Sequence, residues 1–161
     1  MAKEKILFEE FLSAVVPEHQ VFVEELNNKL IELGCDLIIK EAKSDYVASY
    51  QLGKRTVMNW VFRKSGVLAR IYGDNASKYE NTITSLPVDM QKKMTTSRDC
   101  KRLIDPNACS STCVKGIVYA LKGDTYKKCR NDGMLFLLTN ETAEHIAQLV
   151  CAEVTVRKSA L

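Results

Sequence analysis

The apolar positions of the first thirty residues repeat with a helical period. Ile6, Leu7, Phe8, Phe11, Leu12, Val15 and Val16 predict a short amphipathic helix over 6–15. Phe22, Leu26, Leu30 and Leu33 follow at steps of 4, 4 and 3, one stripe along a second helix over 17–33. Pro17 suits its first position, where the missing N–H costs no bond, and Gly34 suits its exit. The period then shortens to two. Residues 35–41, 45–51, 55–63 and 67–72 are rich in β-branched and aromatic side chains. Lys43-Ser44, Gly53-Lys54 and Ser65-Gly66 separate them, too short for crossovers, so the four predict an antiparallel meander. In the third strand, Thr56, Met58, Trp60 and Phe62 share the face expected to meet the core.

Gly73-Asp74-Asn75 ends that pattern. Helical spacing returns over 76–84 and 87–95, split at Leu86-Pro87, and dissolves into a polar stretch from Thr95 to Gly116. Strands are predicted at 116–121 and 125–130 about a Gly123-Asp124 turn, then at 134–138. Asn140 is placed to cap a last helix over 141–153, with Ile146, Leu149 and Val150 inward. The whole predicts a single α+β domain over 1–161: a largely antiparallel sheet with helices on one face.

Composition narrows the class. At 161 residues the chain has one domain's length. With 46% apolar and 27% charged residues, a disordered or fibrous chain is excluded. No apolar run reaches the roughly 18–20 residues of a membrane span. Glu9 and Glu10 break the N-terminal apolar stretch, so it does not read as a secretory signal. A cytoplasmic protein without a membrane partner is expected.

Net charge is only +3, but unevenly spread. Residues 1–45 hold five basic and ten acidic side chains, and residues 91–130 hold ten basic and three acidic. That second segment is either a solvated surface or an attractor of an anion, a phosphate or nucleic acid. Lys101, Arg102 and Arg130 are its candidate ligand contacts. For nucleic acid the aromatic complement is thin, with only Tyr119 and Tyr126 nearby.

Four of the six cysteines fall in the same region, spaced Cys100-x8-Cys109-x3-Cys113-x15-Cys129. Cytosolic thiols stay reduced, which argues against a disulfide framework. Four thiolates are the right number and kind for tetrahedral zinc, and such a site would pin the irregular 96–116 stretch to the strand after Gly123. The neighbouring cations Lys101, Arg102, Lys115, Lys128 and Arg130 favour the thiolate form. An iron or iron–sulfur site, redox-active thiols and unliganded cysteines are the alternatives. Cys35 and Cys151, in apolar surroundings, read as small buried hydrophobes.

Other chemistry is sparse. His19 and His145 stand alone on predicted helices, the first in a solvent-facing turn and the second on a helix surface. No HExxH, GxSxG or Walker-type loop occurs, so no catalytic set is visible. Arg70 and Tyr72 share a face of the fourth strand; Tyr46 and Tyr50 share one on the second. If those faces coincide, Arg70, Tyr72, Tyr50 and Asn59 form a pocket for a small anion or carboxylate. The plain alternative is cross-strand packing with Arg70 paired to Asp74 or another acid.

Two stretches carry a resemblance: TVMNWVFRKSGVLARIYGDNASKYENTITSLP, and DCKRLIDPNACSSTCVKGIVYALKGDTYKKCRNDGMLFLL. They resemble small uncharacterised bacterial proteins of Firmicutes type, and residues 20–90 more distantly the YdhG-like class of domains of unknown function. The resemblance implies an α+β fold and a cysteine-rich C-terminal stretch, here Cys100, Cys109, Cys113 and Cys129. The wider class includes proteins proposed as iron chaperones of frataxin type, which implies an acidic iron surface. The acids to carry it here are Glu9, Glu10, Glu18, Glu24, Glu25 and Glu32 on the first two helices.

Overall fold

Helix α1 (Phe8–Ala14) and helix α2 (Pro17–Glu32) meet at a two-residue elbow, with Pro17 opening α2 as its sequence predicts. Residues 6–43, 45–101, 107 and 116–160 are described in this computed structural model of the chain. Gly34 adopts φ +102°, and the Cys35 N–H returns to the Leu30 carbonyl at 2.9 Å, which closes the helix end. The buried stripe of α2 is His19, Val23, Leu26 and Leu30, with Phe22 and Leu33 half-buried beside it. The stripe is therefore rotated from the expected one, and His19, expected in solvent, is buried at its start.

Four strands follow as the predicted meander: β1 (Asp36–Glu41), β2 (Tyr46–Leu52), β3 (Arg55–Arg63) and β4 (Gly66–Ile71). All neighbours are antiparallel, with a register irregularity at Tyr50/Gln51. A later hairpin, β5 (Ile117–Leu121) and β6 (Asp124–Lys128), forms its own two-stranded sheet. Then β7 (Leu135–Leu137) returns beside β4, giving the order β1-β2-β3-β4-β7. The fold is α+β.

The expected helix over 76–84 is split. A 3₁₀ turn at 76–78 gives way at Tyr79 (φ −136°, ψ 42°) to α3 (Glu80–Thr84). Tyr79 leaves helical backbone and its hydroxyl donates to the buried Glu153 at 2.7 Å, a tertiary bond that overrides local propensity. Helix α4 spans Val88–Thr95, and α5 spans Ala143–Ser159 rather than ending near 153. Thr142, not Asn140, stands at the start of α5, exchanging hydrogen bonds with Thr139.

The five-stranded sheet has two unlike faces. Ala48, Tyr50, Met58, Trp60 and Ile71 are fully buried on the first. Phe11 meets Phe62 edge-on at 5.8 Å, Phe22 meets Trp60 at 6.5 Å, and the Tyr50 hydroxyl donates to Asn27 at 2.8 Å. Helix α5 touches α2, β3 and β4, completing this layer. The second face carries Ile38, Val47, Ser49, Asn59, Val61, Leu68, Arg70 and Leu137 by strand alternation. Asn59 and Val61 at its centre are buried, but Ile38 and Leu137, on opposite edge strands, are 38% and 37% exposed.

Candidate metal centre and the polar cluster beside it

Residues 98–100 lie along β6 on the side away from β5. Asp99 and Lys128 form an antiparallel bridge, with Cys100 N–H on the Lys127 carbonyl at 2.9 Å and Cys129 N–H on the Arg98 carbonyl at 2.8 Å. This bonding makes Asp99 and Lys128 the close, non-hydrogen-bonded pair. Their side chains meet on one face of the ladder, Lys128 Nζ lying 2.7 Å from Asp99 Oδ1 and 3.1 Å from the Ser97 carbonyl. Lys128 is buried, and an ammonium can sit there only because both acceptors meet it.

Cys100 and Cys129 project from the opposite face of the ladder as diagonal neighbours. Such neighbours stand about 7–8 Å apart, beyond the roughly 7 Å Cα limit of a disulfide. Two thiolates that each reach about 2.3 Å to one ion can span it. Cys100 is buried, Cys129 is half-buried, and both are free thiols. Arg98 Nη2 lies 3.5 Å from Cys129 Sγ and 2.9 Å from Asp132 Oδ2. The sulfur and the carboxylate hold that guanidinium charged still more firmly. Gly116 lies against Cys100: a Cβ there would come 2.9 Å from Cys100 Sγ and run into the Lys128 carbonyl. The stretch 101–115 thus leaves and returns at one point. Cys109, Cys113 and Arg102 lie on that stretch, outside the described residues; Lys101, at its start, is exposed. Among the described residues, no three His, Cys, Asp or Glu side chains gather into a metal-holding group.

The predicted anion pocket is half assembled. Asn59 and Arg70 are register partners on the second sheet face, and Asn59 Nδ2 donates to the Tyr72 hydroxyl at 3.0 Å. Asn59 is 9% exposed and its Oδ1 has no partner. Tyr50 does not join them: it pairs with Met58 on the first face, and burial pushes its hydroxyl well above the ordinary tyrosine range. Arg70 is not paired with Asp74 but donates from Nε to the Asn131 carbonyl at 3.0 Å. Arg130 stacks on the Tyr72 ring at 4.1 Å and spends its charge on Asp74, through 2.7 and 3.2 Å hydrogen bonds.

Sequence reasoning missed the cluster this creates. Asp74 also accepts from Arg157 Nη2 at 3.0 Å and has Arg55 Nη2 at 3.6 Å. Arg157 reaches on to the carbonyls of Thr56 and Tyr72 and, through Nε, to Glu153 at 2.8 Å. Glu153 is fully buried and takes four donors: Arg157, the Tyr79 hydroxyl, and the backbone and side-chain nitrogens of Asn75. Every lone-pair site of the carboxylate is thereby used. A signal was present in the chain: Glu153 and Arg157 stand four residues apart on the otherwise apolar face of α5, the spacing of a helical ion pair.

His145 is half-buried with an unpartnered Nδ1. His19 lines a groove of about 690 Å³ with Glu18, Arg63 and Glu141, 3.8 Å from Glu18. Cys35 is buried as expected, whereas Cys151 is half-buried and lines a groove of about 650 Å³ between α3 and α5. Among the described residues, no helix is long and apolar enough to cross a membrane. No protein-family model matches the chain, and neither does any curated protein or solved structure.

Proposed function

We propose that the chain is a cytoplasmic binding domain in which Cys100, Cys109, Cys113 and Cys129 hold one structural zinc ion, and that its binding surface is the second face of the sheet around Arg70. The observation that carries this reading is the ladder between 98–100 and 127–129. It turns Cys100 and Cys129 to one side at the point where the stretch bearing Cys109 and Cys113 begins and ends. Four thiolates on one zinc carry a net charge of −2, which Arg98 and Lys101 beside them offset. The site is closed: all four positions are protein ligands, so it supports structure rather than catalysis. On the sheet, Arg70 presents a guanidinium with no carboxylate partner among the described residues, beside the unpartnered Asn59 oxygen. That guanidinium suits a carboxylate or a small oxyanion, borne by a small molecule or by a macromolecular partner; the buried Asn59 Oδ1, itself an acceptor, takes no part in holding the anion.

Metal content per chain, measured by mass spectrometry on protein purified under reducing conditions without a metal-affinity tag, tests the first half. About one zinc per chain is expected. Iron would favour the iron–sulfur or chaperone reading, and a metal-free, fully folded protein would sink the site. The second half is tested by adding inorganic phosphate and acetate to isotope-labelled protein. Shifts confined to Asn59, Arg70 and Leu135 support it, and shifts confined to the exposed lysines reject it.

A further inference from the structure

The two outer layers of the molecule carry opposite charge over exposed apolar positions. On the helix side, residues 6–33 expose Glu9, Glu10, Glu18, Glu24, Glu25 and Glu32, with Lys29 the only basic residue. Among these acids Val21 is 67% and Ile31 46% exposed. On the sheet side, the second face has a floor of Val47, Leu68 and Leu135, half-buried around the buried Val61, with Ile38 and Leu137 open at its two edges. Lys40, Arg63 and Arg70 stand on it against Asp36. Among the described residues, no carboxylate pairs with those three cations.

We propose that the outer face of α2 in one copy of the chain docks on the second sheet face of another copy. The dimensions agree. Val21 and Ile31 are separated by about 15 Å along α2, and five strands span about 19 Å from edge to edge. A helix laid across the strands therefore reaches both open edges. Charge selects this pairing over the symmetric ones: sheet against sheet would oppose Lys40, Arg63 and Arg70 to themselves, and helix layer against helix layer would oppose glutamates to glutamates. The contact is heterologous, so an assembly of any length still presents one free layer of each kind, one at each end. It shares the sheet surface with the function proposed above and is independent of the zinc.

Sedimentation velocity on the full chain tests it, at rising concentration in low salt and again near 0.5 M salt, where surface charge is screened within about 4–5 Å. Two variants accompany the wild type, Val21→Lys and Leu137→Glu, both at open positions where the fold is expected to be unchanged by circular dichroism. The wild type should sediment faster as concentration rises, and less so in high salt. Each variant alone should stay monomeric. An equimolar mixture should form a one-to-one dimer, because V21K keeps a sound sheet face and L137E a sound helix face. Variants that fail to complement, or that each still dimerise alone, overturn the heterologous contact. A wild type that stays monomeric up to about 1 mM, with the phosphate shifts at Arg70 intact, overturns the second-copy occupant alone. Loss of those shifts as well would remove the surface itself.

Discussion

At the scale of single residues, the molecule is committed around two carboxylates. Glu153 has no exposure and four donors; Asp74 is shared by three arginines. Removing one charge from such a set strands the others in low dielectric, so Glu153→Gln should destabilise the fold by about 3–5 kcal/mol in urea denaturation. Asp74→Asn, at a partly open site, should cost less. Equal, small losses for both would show that the arginines simply turn to water. Glu153 was legible as a candidate from its spacing to Arg157, but Asp74 was not: its partners come from three separated stretches of chain, and nothing local marks it. A second prediction concerns pH. Burial raises the hydroxyls of Tyr50, Tyr79 and Tyr119 above the ordinary value of 10, with Glu153 adding to the effect at Tyr79. The native state keeps these protons where the unfolded chain has lost them, so stability is intact below about pH 10 and falls as pH climbs above it. Absorbance near 295 nm should show at least three tyrosines ionising only with unfolding. Six that titrate together near 10 would contradict their burial.

At the scale of elements, the chain declared what periodicity can declare. The meander and both N-terminal helices stand where alternation and the 3.6 period put them, because each is a contiguous run with its own turn signals. The clearest failure comes from a long-range bond that outranks a local preference. Tyr79 breaks the predicted 76–84 helix to reach Glu153, while the buried stripe of α2 is rotated so that it begins at His19. The faces of β2 and β4 were the other uncertainty. Register separates Tyr50 from Arg70 and Tyr72, so no tyrosine-lined pocket forms across the sheet. The cysteine ladder gives the element-scale prediction. Cys129→Ser should lower zinc content to near zero and the melting temperature by several degrees, since about 1 kcal/mol moves a domain of this size by roughly 2–4 °C. Cys35→Ser, at a buried cysteine away from the ladder, should leave zinc content unchanged. If the two substitutions affect metal equally, the pairing of Cys100 with Cys129 has no bearing on it.

At the scale of the whole molecule, the basic segment changes meaning. Its ten cations looked like one surface, yet Lys128, Arg130 and Arg98 are turned to Asp99, Asp74 and Asp132 and tie the hairpin to the main body. Glu80 adds a further tie, accepting from the Ala120 N–H at 2.6 Å. The β5–β6 hairpin shares no strand with the large sheet; it is held by the backbone ladder to 98–100, by side-chain bonds, by Ile117 and Tyr119 in the core, and in the proposed reading by zinc. A unit attached in this way opens at lower cost than the sheet it leans on. Hydrogen exchange on zinc-loaded and chelator-treated protein should resolve the two. Amides of 98–100, β5 and β6 are expected to lose protection without metal, while β2, β3 and β4, packed under α2 and α5, keep theirs. Uniform loss would mean that the ion holds the entire fold together. No change would mean that the ladder, with Lys128 buried between Asp99 and Ser97, needs no metal at all, and the cysteines would have to be explained by their reactivity instead.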